Sequence, residues 1–266
     1  MAINWYYPVI LFRNFFLNFQ EAYMTGIQRR MAKLLKNKGK LFLAAFDHPQ
    51  IYGTMEGLED TPALVESLKD SEVDGFILNP GMFARICPKA VEDKVLVLRG
   101  SVGGTMMGTV YSDVHYGIAS AKLAAQLDAD AVLVMFVIGG AKDMESEIEL
   151  ARVCEEYHRL GIPVIAEVLA ADYTKNNDTD LIASGARIAA ELGADMIKAF
   201  YCKGFDKVTS NCPVPVILAG GPKDSDILAV VREVVSKGAV GLAFGRNIFQ
   251  SKDVKKTIKD LDGALR

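Results

Sequence analysis

The sequence predicts a (β/α)8 barrel, the TIM barrel, preceded by an aromatic-rich extension. Three observations carry that expectation. Eight short, near-continuous apolar runs are spread along the 266 residues, the pattern of parallel strands buried on both faces. Helix-spaced segments separate them without a linker or low-complexity break, in a chain close to the roughly 250 residues such a barrel takes. Polar residues and glycines collect at the C-terminal ends of the runs, where barrel enzymes carry their sites.

In chain order, residues 1–24 (MAINWYYPVILFRNFFLNFQEAYM) stand apart from the rest. Their longest apolar run, Trp5–Phe12, stops at Arg13 and is too short for a membrane span. A basic n-region and a small-residue cleavage site are missing, which argues against a signal peptide. The expected readings are an arm that packs on a neighbouring subunit, a translated extension upstream of a start at Met24, or, a distant third, a membrane-surface helix. Residues 25–266 form the barrel domain.

Gly26–Lys38 reads as a basic amphipathic helix leading into the first strand, Lys40–Asp47. The other strand-like runs are Gly75–Asn79, Val95–Arg99, Ala131–Ile138, Pro163–Leu169, Met196–Tyr201, Val214–Ala219 and Gly241–Phe244. Thr61–Ser71 opens on a Thr-Pro pair that suits an N-cap and a first-turn proline. Ser112–Leu127, Met144–Leu160, Thr179–Leu192, Ser225–Lys237 and Val254–Leu265 have helical spacing, and Gly161, Gly193 and Gly238 stand where C-caps belong. An open doubly wound sheet competes, but Gly100-Ser101-Val102-Gly103-Gly104 has the wrong glycine spacing for a dinucleotide fingerprint.

Composition narrows the function. Half the residues are hydrophobic, 24% are charged, and the formal net charge is −3, so a large core can form. The longest basic run is Lys255-Lys256, which leaves no positive stripe for nucleic acid. Four cysteines without CxxC spacing and three separated histidines make no recognisable metal cluster. No metal, no cofactor, no membrane partner and a reducing, cytoplasmic setting are expected.

The strand ends supply the candidate site: Asp47-His48, Asn79, Arg99, Glu167, Lys198, Gly220-Gly221 and Gly245-Arg246-Asn247. Lys198 interrupts an apolar strand. Desolvation disfavours an ammonium, and the neutral amine is the nucleophile of Schiff-base chemistry; the bland alternative is a strand-end lysine whose stem snorkels to solvent. Glu167 lies one strand earlier, on the same side of its strand as Leu169. A carboxyl facing an apolar interior suits proton transfer to a substrate hydroxyl, and the alternative is an ion pair with Lys198 or Arg99 that only satisfies burial. Asp47 is placed to orient the lysine or hold a substrate hydroxyl, while His48-Pro49 reads equally as a turn. Gly220, Gly221 and Gly245, with Arg246, follow strands seven and eight, where barrels commonly bind phosphate through backbone N–H groups.

Asp47-His48, Gly193–Lys198, Ala219-Gly220-Gly221-Pro222-Lys223 and Gly245-Arg246-Asn247-Ile248-Phe249-Gln250 together resemble the DeoC/LacD class I aldolase family from about Gly39 to Asp253. That family includes archaeal-type fructose-bisphosphate aldolases, aminodideoxyheptulosonate synthases and the LsrF thiolase, whose branch the stretch Lys203–Pro215 is most like. The resemblance implies Lys198 as Schiff-base lysine with Asp47 beside it, and a phosphorylated, sugar-like substrate. On that resemblance Gly220, Gly221, Gly245 and Arg246 would hold the phosphate; His48 and Arg99, from the strand ends, are further candidate substrate contacts. It also implies a homo-oligomer, since the family forms rings. Leu169 stands where the aldolase and synthase branches carry a proton-moving tyrosine, and Glu167 is similar to the strand-five glutamate of tagatose-bisphosphate aldolases. The expected activity is metal-independent cleavage or formation of a C–C bond in a phosphorylated ketose-like substrate. The alternatives are LsrF-like acyl transfer to coenzyme A as co-substrate and a non-catalytic phosphometabolite-binding barrel.

Overall fold

Eight strands close into a barrel: β1 (Leu41–Ala45), β2 (Gly75–Leu78), β3 (Val95–Arg99), β4 (Ala131–Ile138), β5 (Val164–Ala170), β6 (Met196–Ala199), β7 (Val216–Ala219) and β8 (Gly241–Phe244). Around the ring they run β1-β8-β7-β6-β5-β4-β3-β2, every neighbour parallel. The structure, a computed structural model, describes residues 26–108, 113–220 and 226–266. The extension expected over residues 1–24 lies outside them.

The two-residue period of a strand sorts the apolar runs into two layers. Leu41, Leu43, Ala45, Val95, Val97, Leu133, Ile165, Met196 and Ile217 point inward and fill the barrel. Alternate residues such as Phe42, Ala44, Leu98, Val132, Ala166, Val168 and Ile197 point outward beneath the helices. Both faces are therefore dry, which is why the strands read as unbroken apolar runs. The same period turns Arg99, Met135, Glu167 and Lys198 inward near the C-terminal ends. In the ladders Glu167 is the partner of Met135 on one side and of Lys198 on the other.

The helices are α1 (Gly26–Leu34), α2 (Pro49–Tyr52), α3 (Thr61–Ser67), α4 (Pro80–Phe83), α5 (Ala121–Gln126), α6 (Asp143–His158), α7 (Thr179–Glu191), α8 (Phe205–Asn211), α9 (Ile227–Ser236), α10 (Arg246–Phe249) and α11 (Val254–Leu265). Helix α1 covers the N-terminal mouth. Its Leu34 joins the interior cluster, and Lys33 Nζ lies 2.8 Å from Asp130. Gly161, Gly193 and Gly238 all take positive φ, of +67°, +107° and +98°, as helix C-caps require.

Two expectations are corrected. No continuous helix runs from Ser112 to Leu127: α5 begins at Ala121, and Tyr116-Gly117 instead pairs antiparallel with Ser101-Val102. The ladder supplies those residues with hydrogen bonds outside a helix, Gly117 N–H donates to Glu149 at 2.7 Å, and Ser120 caps α5 by accepting from Leu123 N–H at 3.1 Å. The cap of α3 is Asp60, not Thr61, because the Asp60 carboxylate reaches Ala63 N–H at 3.0 Å.

The N-terminal rim carries a repeated device. Asp74, Asp130 and Asp195 each stand one residue before an even-numbered strand and accept the N–H of Phe42, Leu96 and Val164, at 2.7, 2.9 and 2.8 Å, from the preceding odd-numbered strand or its start. Each also meets a basic group: Arg266 at 2.8 Å, Lys33 and His158 at 2.8 Å. The fourth equivalent position, before β8, is Val240. These carboxylates fix strand register far from the C-terminal ends. Asp74→Ala orphans a buried N–H and leaves Arg266 with Asp262 as its one remaining carboxylate among the described residues, so it is expected to cost about 3 kcal/mol in urea unfolding with kcat unchanged.

Candidate active site

The centre of the C-terminal end is a chain of four buried charges. Lys198, 5% exposed, places Nζ 2.7 Å from Glu167 Oε1. Arg99 Nη1 donates to Glu167 Oε2 at 3.3 Å and to Asp47 Oδ2 at 3.0 Å, while its Nε donates to the Ser101 carbonyl at 3.0 Å. Two cations and two carboxylates cancel formally, which is the condition for keeping four charges out of water. The strand alternation makes this possible: Arg99 on β3, Met135 on β4, Glu167 on β5 and Lys198 on β6 all fall on inward-facing positions, so neighbouring strands bring their polar ends together.

Burial alone works to raise the Asp47 carboxyl, but the Arg99 charge, assisted by His48 and Lys198, holds it below the usual carboxylate range. Asp47 is therefore an anion near neutrality, and its carbonyl accepts from Asn79 Nδ2 at 2.9 Å. His48 immediately precedes α2, its Nδ1 3.6 Å from Asp47 Oδ1 and its ring edge-on to Phe249 at 5.3 Å. Burial lowers its pKa, against the pull of Asp47, so the imidazole is neutral at pH 7. Gly245 is required beside it, since a Cβ there would meet His48 Cε1 at 2.2 Å and the Ala45 carbonyl at 2.8 Å.

Above these groups opens a cavity of about 530 Å³. Of the residues singled out in the sequence, Asp47, His48, Glu167, Lys198, Gly220, Gly245 and Arg246 line it. Arg246 begins α10 at the rim, exposed and, among the described residues, without a carboxylate partner, and Gly220 faces Asn247 Oδ1. Arg99 does not line the cavity. It is 1% exposed and lies below the floor, committed to Asp47 and Glu167, where the sequence suggested a substrate contact. Gly221 falls outside the described residues.

Sequence reading missed part of the wall. Tyr52, Met106, Met135, Tyr173 and Phe200 also line the cavity. Tyr173, on a single 3-10 turn (Tyr173–Lys175) after β5, packs edge-on against Phe200 at 6.2 Å. Burial, and next Tyr52, raise its phenol, with Arg246 opposing. Its position four residues beyond Leu169 was the available signal, but only the turn brings it back over the cavity.

Behind the site lies His115, buried against Gly103, where any Cβ would meet its Nε2 at 2.4 Å. Burial, with Arg99 nearby, lowers its pKa to about 3. A histidine lowered in the fold binds its proton first in the unfolded chain, so its stabilisation is complete above about pH 6.5 and is lost as pH falls toward 3. The expected slope approaches about 1.4 kcal/mol per pH unit for one proton. Urea midpoints should drop from pH 7 to pH 5, and less steeply in His115→Gln.

Among the described residues no group of three or more His, Cys, Asp or Glu side chains is placed to hold a metal ion, and no helix is long and apolar enough to cross a membrane.

Comparison with known proteins agrees with this geometry. The model of the DeoC/LacD family aldolase matches residues 41–251. The chain is 33% identical over 247 residues to 2-amino-3,7-dideoxy-D-threo-hept-6-ulosonate synthase 1 of Archaeoglobus fulgidus, covering 90% of each chain. It is 32% identical over 246 residues to the 3-hydroxy-5-phosphonooxypentane-2,4-dione thiolase of Enterobacter sp. strain 638, covering 88% of this chain and 82% of the other. A Schiff-base-forming fructose-1,6-bisphosphate aldolase superposes with a TM-score of 0.80 at 27% identity, over 90% of this chain and 99% of the other. An archaeal fructose-1,6-bisphosphate aldolase, solved with its catalytic lysine covalently bound to the carbinolamine intermediate, gives 0.80 at 25% identity, over 89% and 98%.

Proposed function

Since the chain belongs to the DeoC/LacD family of aldolases and is a lyase of the class I type, we propose that Lys198 forms a Schiff base with the ketone carbonyl of a phosphorylated, sugar-like substrate. The observation that carries this reading is the 2.7 Å contact between Lys198 Nζ and Glu167 inside a cavity that opens to solvent.

Glu167 takes the ammonium proton, and the neutral amine adds to the carbonyl carbon to give a carbinolamine. The same carboxyl, now protonated, returns its proton to the carbinolamine oxygen, which leaves as water and produces the iminium. The iminium then accepts the electron pair of the neighbouring C–C bond as it breaks, becoming an enamine. Glu167, directly or through one water, removes the hydroxyl proton of the departing aldehyde. Protonation of the enamine and hydrolysis of the resulting iminium restore Lys198. Run backwards, the same steps condense the two fragments. Arg99 keeps Asp47 and Glu167 apart as separate anions, and Asp47 holds Arg99. Arg246, with the backbone at Gly220 and Gly245, binds the phosphate, and Gly221 is proposed to share in it. A reducing, cytoplasmic setting and a homo-oligomeric assembly go with this reading.

A second reading is favoured by the similarity to the pentanedione thiolase and by Leu169 at the end of β5. In it the Lys198 adduct of a phosphorylated diketone passes its acyl group to the thiol of coenzyme A. Formation of acyl-coenzyme A only on addition of coenzyme A separates it from aldehyde release.

Borohydride trapping with ketose phosphates tests the proposal. Wild type should acquire an adduct on the peptide bearing Lys198, and Glu167→Gln should acquire it on the order of 100-fold more slowly. An adduct on Lys203 instead, or none despite ligand binding, overturns the assignment.

A further inference from the structure

We infer that Tyr52 and Tyr173 are positioning residues that close the mouth of the cavity from opposite sides and shield Lys198, with any adduct on it, from water. The part that concerns the adduct rests on the proposed Schiff-base chemistry.

The two rings come from opposite sides of the barrel. Tyr52 ends α2 after β1, and Tyr173 opens the 3-10 turn after β5. The strand order places β1 and β5 directly across the ring from each other. Both tyrosines line the cavity that holds Lys198, although they are 38% and 56% exposed. The Tyr173 phenol is raised by burial and next by Tyr52, and Arg246 and Glu167 also act on it. Its hydroxyl end therefore reaches over the cavity toward Tyr52.

Neither ring hangs on a loose loop. The buried Asn176 accepts Ala170 N–H at 2.8 Å from the end of β5 and donates to the Tyr173 carbonyl at 3.0 Å. Asp172 accepts the Thr174 N–H at 3.1 Å and its hydroxyl at 2.6 Å, and Phe200 backs the Tyr173 ring. Tyr52 stacks on His48 with centroids 6.4 Å apart. Met106 N–H donates to the Ile51 carbonyl at 2.9 Å, which ties the loop after β3 to α2 beside Tyr52. Aromatic and thioether surface pinned around one opening differs from hydrophobic residues scattered singly over a surface.

Water over Lys198 decides how long an adduct lasts. An uncovered iminium adds water at carbon and returns the amine. An uncovered enamine takes a proton at carbon while its nitrogen lone pair becomes the iminium bond. Where water is held off, the enamine carbon attacks a carbonyl partner instead. The rings, and not the hydroxyls, supply this cover, so phenylalanine should replace either tyrosine.

Reductive methylation with formaldehyde and cyanoborohydride, read by peptide mass on the substrate-free protein, reports access to Lys198 without turnover. Exposed Lys203 is the internal reference, and the contact of Lys198 with Glu167 is common to all the proteins compared. Relative to Lys203, Tyr52→Ala/Tyr173→Ala should methylate Lys198 about tenfold faster than wild type, and Tyr52→Phe/Tyr173→Phe within about twofold of it. If the alanine pair does not fold, Tyr173→Ala alone, at its half-exposed position, carries the same test with a rise of about threefold. When ketose phosphates are diluted away before borohydride is added, the Lys198 adduct should decay about tenfold faster in the alanine pair. Unchanged methylation in the alanine variants overturns the inference, as does a phenylalanine pair that methylates as fast as the alanine pair. Faster methylation in the alanine variants, with no borohydride adduct on Lys198 in any protein, sinks the Schiff-base reading and leaves the shield standing. An adduct in every protein with unchanged methylation does the reverse.

Discussion

Lys198→Ala is expected to lower kcat/KM by on the order of 10^4-fold or more while leaving the barrel folded. The loss is that large because covalent catalysis has no substitute nucleophile at this position: Glu167 and Asp47 are acceptors, and Arg99 is never neutral. Folding survives because Glu167 keeps Arg99 at 3.3 Å when the lysine is gone, so no carboxylate is left alone. The stability cost should therefore fall below the roughly 3–5 kcal/mol of breaking a fully isolated buried pair. Lys198→Arg is the sharper control. It retains charge and the contact with Glu167, yet a guanidinium is a poor nucleophile, so stability should stay near wild type while trapping disappears. A Lys198→Ala protein with more than a hundredth of wild-type turnover would remove the lysine from the mechanism.

Arg99→Leu is expected to destabilise the protein by about 3–5 kcal/mol and to abolish activity at neutral pH. Without the guanidinium, Asp47 and Glu167 face each other across a buried gap with only Lys198 to balance two negative charges, and one of them must take up a proton. The sign with pH is opposite to the wild type's. In wild type the lowered Asp47 contributes stability that is complete above about pH 4 and is lost as pH falls through 3.8 toward its folded value. In Arg99→Leu, protonation relieves an unpaired charge, so the gap between variant and wild type should narrow from pH 7 to pH 4. Arg99→Leu combined with Asp47→Asn should recover part of the stability, because the second change removes the orphaned carboxylate. Arg99→Lys should not, since one ammonium lacks the fork that reaches Asp47, Glu167 and the Ser101 carbonyl together. Urea unfolding of the four proteins at both pH values distinguishes these outcomes.

The sequence by itself determined the barrel. Dry strands buried on both faces leave continuous apolar runs, and glycines with positive φ end the helices between them, so strand number, order and most boundaries are local signals. It also determined which residues reach the C-terminal end, because a two-residue period assigns the interior face once one residue of the strand is known. That is how Lys198 and Glu167 were legible as a pair before any contact was seen.

Three features were decided only by tertiary structure. Whether Arg99 meets substrate or supports the floor depends on how far three strands approach one another, and the geometry ties it to Asp47 and Glu167 beneath the cavity. The segment before α5 has helical spacing, but its ladder with Ser101-Val102 satisfies the same backbone groups, and long-range hydrogen bonds outweighed local propensity there. Tyr173 enters the wall because a single 3-10 turn folds the chain back after β5, and no periodicity records a turn of that length. Period and capping are written along the chain, whereas the balance of buried charge is a property of strands brought together from distant parts of it.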